Sequence, residues 1–219
     1  SAARDLDKVL EYPNNKYSED AMLMGAEMAY TAKNYEKALT IYKQLKDKAA
    51  SMERRQLAKT GMLRSAHMLG NGEEIILAAT DLLADTKLAP ELSNEAHYYR
   101  AKAYLDASKT EAAMEDLKVL AKDTRNVYGA EAKYKVAQIY FDGGQTDKAE
   151  QEVLNYIEVS TPHTYWLARS FVLLADVYMK LGRNLDAKQY LLSLKQNYQA
   201  DDDIAGMIES RLEKLKIEN

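Results

Sequence analysis

Two small residues twelve positions apart recur along the chain: Ala26 with Ala38, Ala101 with Ala113, Ala137 with Ala149, and Ala175 with Ala187. The first members follow one another by 75, 36 and 38 residues, and 75 is close to twice 37. A degenerate unit therefore belongs between the first two pairs, and Leu63 with Ile75 supplies it. Five residues before each second member stand Lys33, Gly70, Ser108, Gly144 and Gly182. A unit repeated in this way buries its apolar face only against its neighbours, so the period sets the architecture more firmly than the length of 219 residues does.

Each unit reads as two amphipathic helices joined by a tight turn. In the last, Phe171, Leu174, Ala175 and Tyr178 recur at spacings of three and four, and Ala187, Leu191 and Leu194 do so after Gly182-Arg183-Asn184. Glycine at the turn supplies the left-handed backbone that stops the first helix, and Asn184 or Thr146 is placed to cap the second. The paired alanines mark where two helix backbones cross most closely, since a larger side chain there would push them apart. Leu63 and Ile75 predict a splayed or shifted second unit. With only 3 Pro and 9 Gly, little else interrupts helix.

The order Phe171-x-x-Leu174-Ala175-x-x-Tyr178 followed by Ala187-x-x-x-Leu191 resembles the tetratricopeptide repeat (TPR). Val136, Ala137, Tyr140, Ala149 and Val153 repeat it, as do Ala101, Tyr104, Ala113 and Leu117. The unit departs from the family in averaging about 37 residues rather than 34, and in mostly lacking the proline after the second helix. The longer unit and the connector Tyr12-Pro13-Asn14-Asn15-Lys16-Tyr17-Ser18 before Ala21 resemble a subtype of bacterial envelope proteins. Examples are the periplasmic coordinator of the Tol-Pal system and the lipoprotein of the outer-membrane barrel-assembly machine. The resemblance implies an all-α fold, a right-handed TPR-like superhelix or α-solenoid, and a place in the bacterial periplasm or at the outer membrane rather than the cytoplasm.

About five hairpins are expected, at 18–48, 52–84, 92–123, 127–159 and 164–197, forming a single solenoid domain over 1–219. A C-terminal capping helix at 202–217 has Asp201, Asp202 and Asp203 at its start and Arg211, Lys214 and Lys216 near its end, matching the helix dipole. Residues 1–12, with Leu6, Val9 and Leu10 on one face, read as the second helix of a leading half repeat. On that reading the chain is the C-terminal part of a longer protein, and 1–12 offers a surface for self-association.

The remaining composition narrows the chemistry. A net charge of -4, from 30 basic and 34 acidic residues, gives no field to neutralise a nucleic-acid backbone. No run of 18 apolar residues exists for membrane insertion. Cysteine is absent, and His67, His97 and His163 stand at no metal-ligand spacing. No carboxylate pair or nucleophile is marked for catalysis. The acidic run before the capping helix lacks the alternating oxygens, the sixth-position glycine and the twelfth-position glutamate of a calcium loop. The sequence therefore predicts no enzyme, no cofactor and no metal.

The 16 tyrosines are a stronger signal. Tyr104, Tyr140 and Tyr178 fall on core stripes. Tyr30, His67, Leu105, Phe141 and Met179 each lie four residues after the tight-packing position of their first helix, and Leu23, Thr60, Tyr98, Tyr134 and Val172 lie three before it. The two sets are seven apart and share one stripe, with Glu27, Arg64, Lys102, Gln138 and Asp176 between them. In the resembled family the first helices line a concave groove, and this stripe faces the ligand. The expected function is a non-catalytic protein-interaction scaffold holding a peptide or protein segment in that groove, in bacterial envelope assembly. The family's basic clamp for acidic chaperone tails has no counterpart in this sequence. Alternatives are the helical accessory region of a larger peptidoglycan- or carbohydrate-handling enzyme, a self-assembly module, or a stripe whose aromatics are covered by neighbouring hairpins.

Overall fold

The structure is a computed structural model that describes residues 4–5, 7–8 and 18–217. The leading half-repeat residues Leu6, Val9 and Leu10 and the connector 12–17 lie outside the described residues. From Ser18 onward the described residues form eleven helices and no strand: α1 (Ser18–Thr31), α2 (Tyr35–Lys48), α3 (Met52–Leu69), α4 (Gly72–Leu83), α5 (Pro90–Asp106), α6 (Thr110–Leu120), α7 (Val127–Asp142), α8 (Thr146–Glu158), α9 (Thr164–Lys180), α10 (Asn184–Asn197) and α11 (Ile204–Ile217). The chain divides into two compact units, Ser1–Ala113 and Met114–Asn219, with the division inside α6.

Every hairpin turn uses the same device. The described residues with positive φ are Lys33 (61°), Gly70 (66°), Ser108 (58°), Gly144 (75°) and Gly182 (73°), one per hairpin. At each, the N–H of the left-handed residue bonds the carbonyl three back, and the following N–H reaches the carbonyl five back. Lys33 donates to Tyr30 and Asn34 to Ala29, and Gly182 donates to Met179 and Arg183 to Tyr178. This is a Schellman closure, which satisfies two carbonyls that the helix end would otherwise leave without partners. The residue after the left-handed one also becomes the N-cap of the second helix. Asn34 and Asn71 fill that place and accept from the N–H groups of Lys37 and Glu74, both at 3.2 Å. In the fourth and fifth hairpins the N-cap is Gln145 or Arg183, neither capping through its side chain. Thr146 and Asn184, expected as caps, are instead the first helical residues, because the closure fixes the cap one position earlier.

The alanine pairs lie where the helices cross. Ala26, Ala38, Ala101, Ala113, Ala149, Ala175 and Ala187 are fully buried, and Ala137 is 1% exposed. Leu63 and Ile75 occupy the equivalent sites in the second hairpin, also buried, and the turn at Gly70 keeps the common geometry.

The core of the first unit is built from α1–α4 and the inner face of α5, including Met22, Tyr42, Leu45, Met62, Leu82 and Ala96. Burying each large side chain of this kind contributes roughly 1.5–3 kcal/mol. Tyr42 on α2 packs its ring directly over Gly61 on α3, where a side chain would collide with it. Lys59 on α3 carries a nearly buried ammonium that binds Asp81 on α4 (3.1 Å) and Asp85 just beyond its end (2.6 Å). Burial works against its charge, but the two carboxylates outweigh that and hold its pKa above the ordinary lysine value.

The core of the second unit joins α7–α10 to Ile204, Ile208 and Leu215 of α11. Asp202 caps α11 by accepting from the N–H of Ile204 at 3.0 Å, and Lys214 and Lys216 stand in the last turn. The connections before α7 and α9 also bond to each other. Thr124 donates to the Ser160 carbonyl (3.3 Å), and Thr161 donates to the Thr124 carbonyl (2.7 Å). The first of these connections runs so close to α7 that a methyl on Gly129 would strike the carbonyl oxygens of Leu120 and Asp123.

The turn device generates a test with opposite signs. A left-handed non-glycine residue is strained by about 1–2 kcal/mol, and glycine returns about 0.5–1 kcal/mol of that as unfolded-state entropy. Ser108→Gly should therefore stabilise the chain by roughly 0.5–1 kcal/mol, and Gly144→Ala should destabilise it by a similar amount. Space does not interfere at Gly144, where no atom lies within 4 Å of an added Cβ. Urea unfolding followed by circular dichroism measures both, and shifts of the same sign would contradict the turn assignment.

Candidate functional site

In the first unit the stripe runs along α1, α3 and α5. Leu23 is half-buried against the core and Glu27 is exposed. Tyr30 is half-buried and meets the Tyr35 ring edge-on, with centroids 5.2 Å apart. Burial, then the proximity of Tyr35, raises the pKa of its hydroxyl. Arg64 makes a two-pronged pair with Glu95 of α5, Nε to Oε1 at 2.8 Å and Nη2 to Oε2 at 2.9 Å. His67 lies flat on Tyr99, with centroids 3.9 Å apart and planes 11° from parallel. Burial, then the nearby Lys102 ammonium, keeps its pKa below the ordinary histidine value. Tyr98 leans on Tyr99 at 5.9 Å, and the Lys102 ammonium sits 5.3 Å above the Tyr98 ring.

Of these groups His67, Tyr99 and Lys102 border a cavity of about 630 Å³. His67, Tyr99, Lys102 and Asp106 line one side and the turn Gly70-Asn71-Gly72 another, with Ile75, Ile76 and Ala103 as apolar surface. Such a place can hold an apolar or aromatic side chain while a cation and a carboxylate orient its backbone or an attached charge. Tyr99 is absent from the sequence-predicted stripe because it stands two residues before Ala101. It enters through the same offset that pairs Arg64 with Glu95: thirty-one or thirty-two residues carry a position on one first helix to its neighbour on the next.

The second unit treats the stripe differently. Tyr134 is only 8% exposed and belongs to the core. Its hydroxyl donates to Gln138 Oε1 at 2.9 Å and accepts from Arg169 Nη2 at 3.3 Å. Gln138 passes the chain on to Asp142 at 2.8 Å. Arg169 also donates to Tyr165 (3.0 Å) and Asp203 (3.2 Å), and Trp166 packs 5.6 Å from the Tyr134 ring. Burial opposes the guanidinium charge, but the bonds to Tyr165 and Tyr134 outweigh it and keep its pKa above the usual arginine value. Phe141 is half-buried beneath the Lys180 ammonium at 5.2 Å, and Met179 is half-buried against the core. Asp176 accepts two bonds from Arg211 of α11, at 3.0 and 2.9 Å.

Two expectations for the stripe are thereby corrected. Tyr134 is not presented to solvent, because Trp166 and Arg169 of α9 cover it. Arg64 and Asp176 are not isolated charges, because α5 and α11, each two helices further on, carry an opposite charge within reach. Sequence reasoning misses Arg169 and its partners because a single arginine six residues before Ala175 carries no periodic signal of its own.

Residues 20–51, which cover α1 from its third residue, the turn and α2, match the family model for the tetratricopeptide repeat. No curated protein matches the chain in sequence. Among solved structures, the chain is similar to the MamA protein, with 16% identity over 85% of this chain and 98% of that one, at a TM-score of 0.63. A second MamA structure gives 19% identity over 89% and 97%, at 0.59. The nearly identical TPR-like repeats of a putative kinesin light chain from Podosopora anserina give 17% over 84% and 96%, at 0.54. At these identities the likeness is one of fold. The chain is an all-α, TPR-like repeat protein whose helices pack in sequence order as in a TPR-like solenoid.

The contrast between the units predicts unequal effects of the same truncation. Tyr134→Ala should destabilise the protein by about 3–5 kcal/mol, as a large buried aromatic does. Tyr98→Ala should lose about 1 kcal/mol or less, because it empties no core site. Denaturant midpoints of the two variants measure this, and equal losses would show that Tyr98 is as much a core residue as Tyr134.

Proposed function

We propose that the chain is a non-catalytic protein-binding scaffold, and that the first-helix face of its first unit holds a peptide segment of a partner protein. The observation that carries the reading is the grouping of His67, Tyr99 and Lys102 around the cavity between α3, α4 and α5, with Tyr98 against Tyr99 and beneath Lys102. Stacked aromatics there are already ordered, so a partner side chain gains contact area with little further loss of conformational freedom. Lys102 brings a cation whose position over Tyr98 leaves its N–H donors available for a partner carbonyl or carboxylate. In the second unit the equivalent stripe is closed by Arg169, Trp166 and Arg211, so the reading places the peptide on the first unit only. The TPR-like fold supports a protein partner.

Peptides selected from a displayed random library against the intact chain test this. Affinity for the selected peptide should fall tenfold or more, about 1.4 kcal/mol, in Tyr98→Ala/Lys102→Ala. Leu77→Ala, on the exposed side of α4, should leave it unchanged. Unaltered affinity in the double variant, or an equal loss in Leu77→Ala, would overturn the proposal.

A further inference from the structure

The second unit holds a different cavity, of about 580 Å³, bordered by the end of α6, the connection to α7, and the facing sides of α7 and α8. Its wall carries four cations, Lys118, Lys122, Arg125 and Lys133, against two carboxylates, Asp123 and Glu152. The local balance is thus +2 (four minus two) in a chain whose net charge is -4.

The carboxylates do not exhaust the cations. Lys133 lies nearly buried, with 12% of its side chain exposed, and two of its three N–H donors serve Glu152 Oε2 (2.9 Å) and Asn155 Oδ1 (2.7 Å), so one remains. Arg125 uses Nε and Nη2 on Asp123 (2.9 and 3.4 Å) and keeps Nη1 free, with 80% of its side chain exposed. Lys118 rests 5.9 Å from the Tyr140 ring, and among the described residues neither it nor Lys122 has a carboxylate partner. Between these donors the accessible wall is apolar at Ala121 and Val159, with the buried Val136 behind them.

We propose that this cavity binds an acidic peptide segment in which apolar residues alternate with carboxylates. The carboxylates meet Lys118, Lys122 and the free donors of Arg125 and Lys133, and the apolar residues lie on Ala121 and the exposed Val159. Charge complementarity selects the acidic partner, since a cleft whose wall is net positive concentrates ligands of the opposite sign. The apolar wall favours a peptide over a bare anion, which would leave Ala121 and Val159 without contact. The negative chain as a whole disfavours a nucleic-acid strand, whose binding needs an extended cationic track.

Fluorescence anisotropy of the intact chain with a fluorescein-labelled peptide of alternating Glu and Leu provides the test. The peptide should bind, its affinity should fall at least tenfold in Lys118→Glu/Lys122→Glu, and an alternating Lys and Leu peptide should not bind. Both lysines are exposed, and the thermal melt of the double variant should match that of the parent. Lys188→Glu/Lys214→Glu, the same charge change on exposed positions elsewhere in the unit, should leave the affinity within twofold. Equal losses in the two double variants would reduce the effect to net charge and overturn the site. Competition by inorganic phosphate at the peptide's own concentration would make it a simple anion site, and tighter binding of a labelled oligonucleotide would make it a nucleic-acid site. Either result overturns the proposal.

Discussion

A single left-handed residue per hairpin sets the geometry on which the rest depends. At Lys33, Gly70, Ser108, Gly144 and Gly182 the chain reverses with the same pair of backbone bonds, so every hairpin turn has the same local geometry. Helices joined by such a turn approach closely near it, and a small side chain fits there. The alanines twelve residues apart and the turn residue five before the second of each pair are therefore two consequences of one constraint. Where glycine is absent, at Lys33 and Ser108, the closure is still made, which shows that the hydrogen bonds and the burial on either side exceed a strain of about 1–2 kcal/mol.

From this geometry follows the contact between successive first helices. Arg64 meets Glu95, His67 meets Tyr99, and Asp176 meets Arg211, at offsets of 31, 32 and 35 residues. These pairings decide what each face of the helices can do. An exposed ion pair alone is worth little, about 0–1 kcal/mol. Its larger effect here is to occupy groups that a ligand would otherwise use. In the second unit Arg169 and Arg211 close the stripe, whereas in the first the ion pairing ends with Arg64 and leaves Lys102, above the Tyr98 ring, at an open cavity.

The all-helical fold is legible in the sequence because it is written in periodicities, and those are local. The twelve-residue alanine spacing, the turn position and the 3.6-residue apolar stripe all reflect contacts within one hairpin. The candidate site is legible only in part. Positions sharing a helix face follow from spacing, and Tyr30, His67, Tyr98 and Lys102 emerge from it. Whether such a face is open depends on the next helix. Tyr134 is buried by Trp166 and Arg169, thirty-two and thirty-five residues away, and no pattern within its own helix distinguishes it from Tyr98. The caps fall one residue earlier than side-chain preference predicts for a similar reason. Thr146 and Asn184 have better capping side chains than Gln145 and Arg183, but the backbone closure takes precedence over that preference.

The central claim is that the first-helix face of the first unit, not the outer surface of its second helices, engages a partner segment. Amide hydrogen exchange of the intact chain with and without a saturating selected peptide tests it most directly. The account predicts added protection in the C-terminal half of α3, the turn at Gly70–Gly72 and the second half of α5, with α2 and the exposed side of α4 unchanged. Protection centred on α2 and α4, or on the second unit with none around His67 and Tyr99, would contradict it.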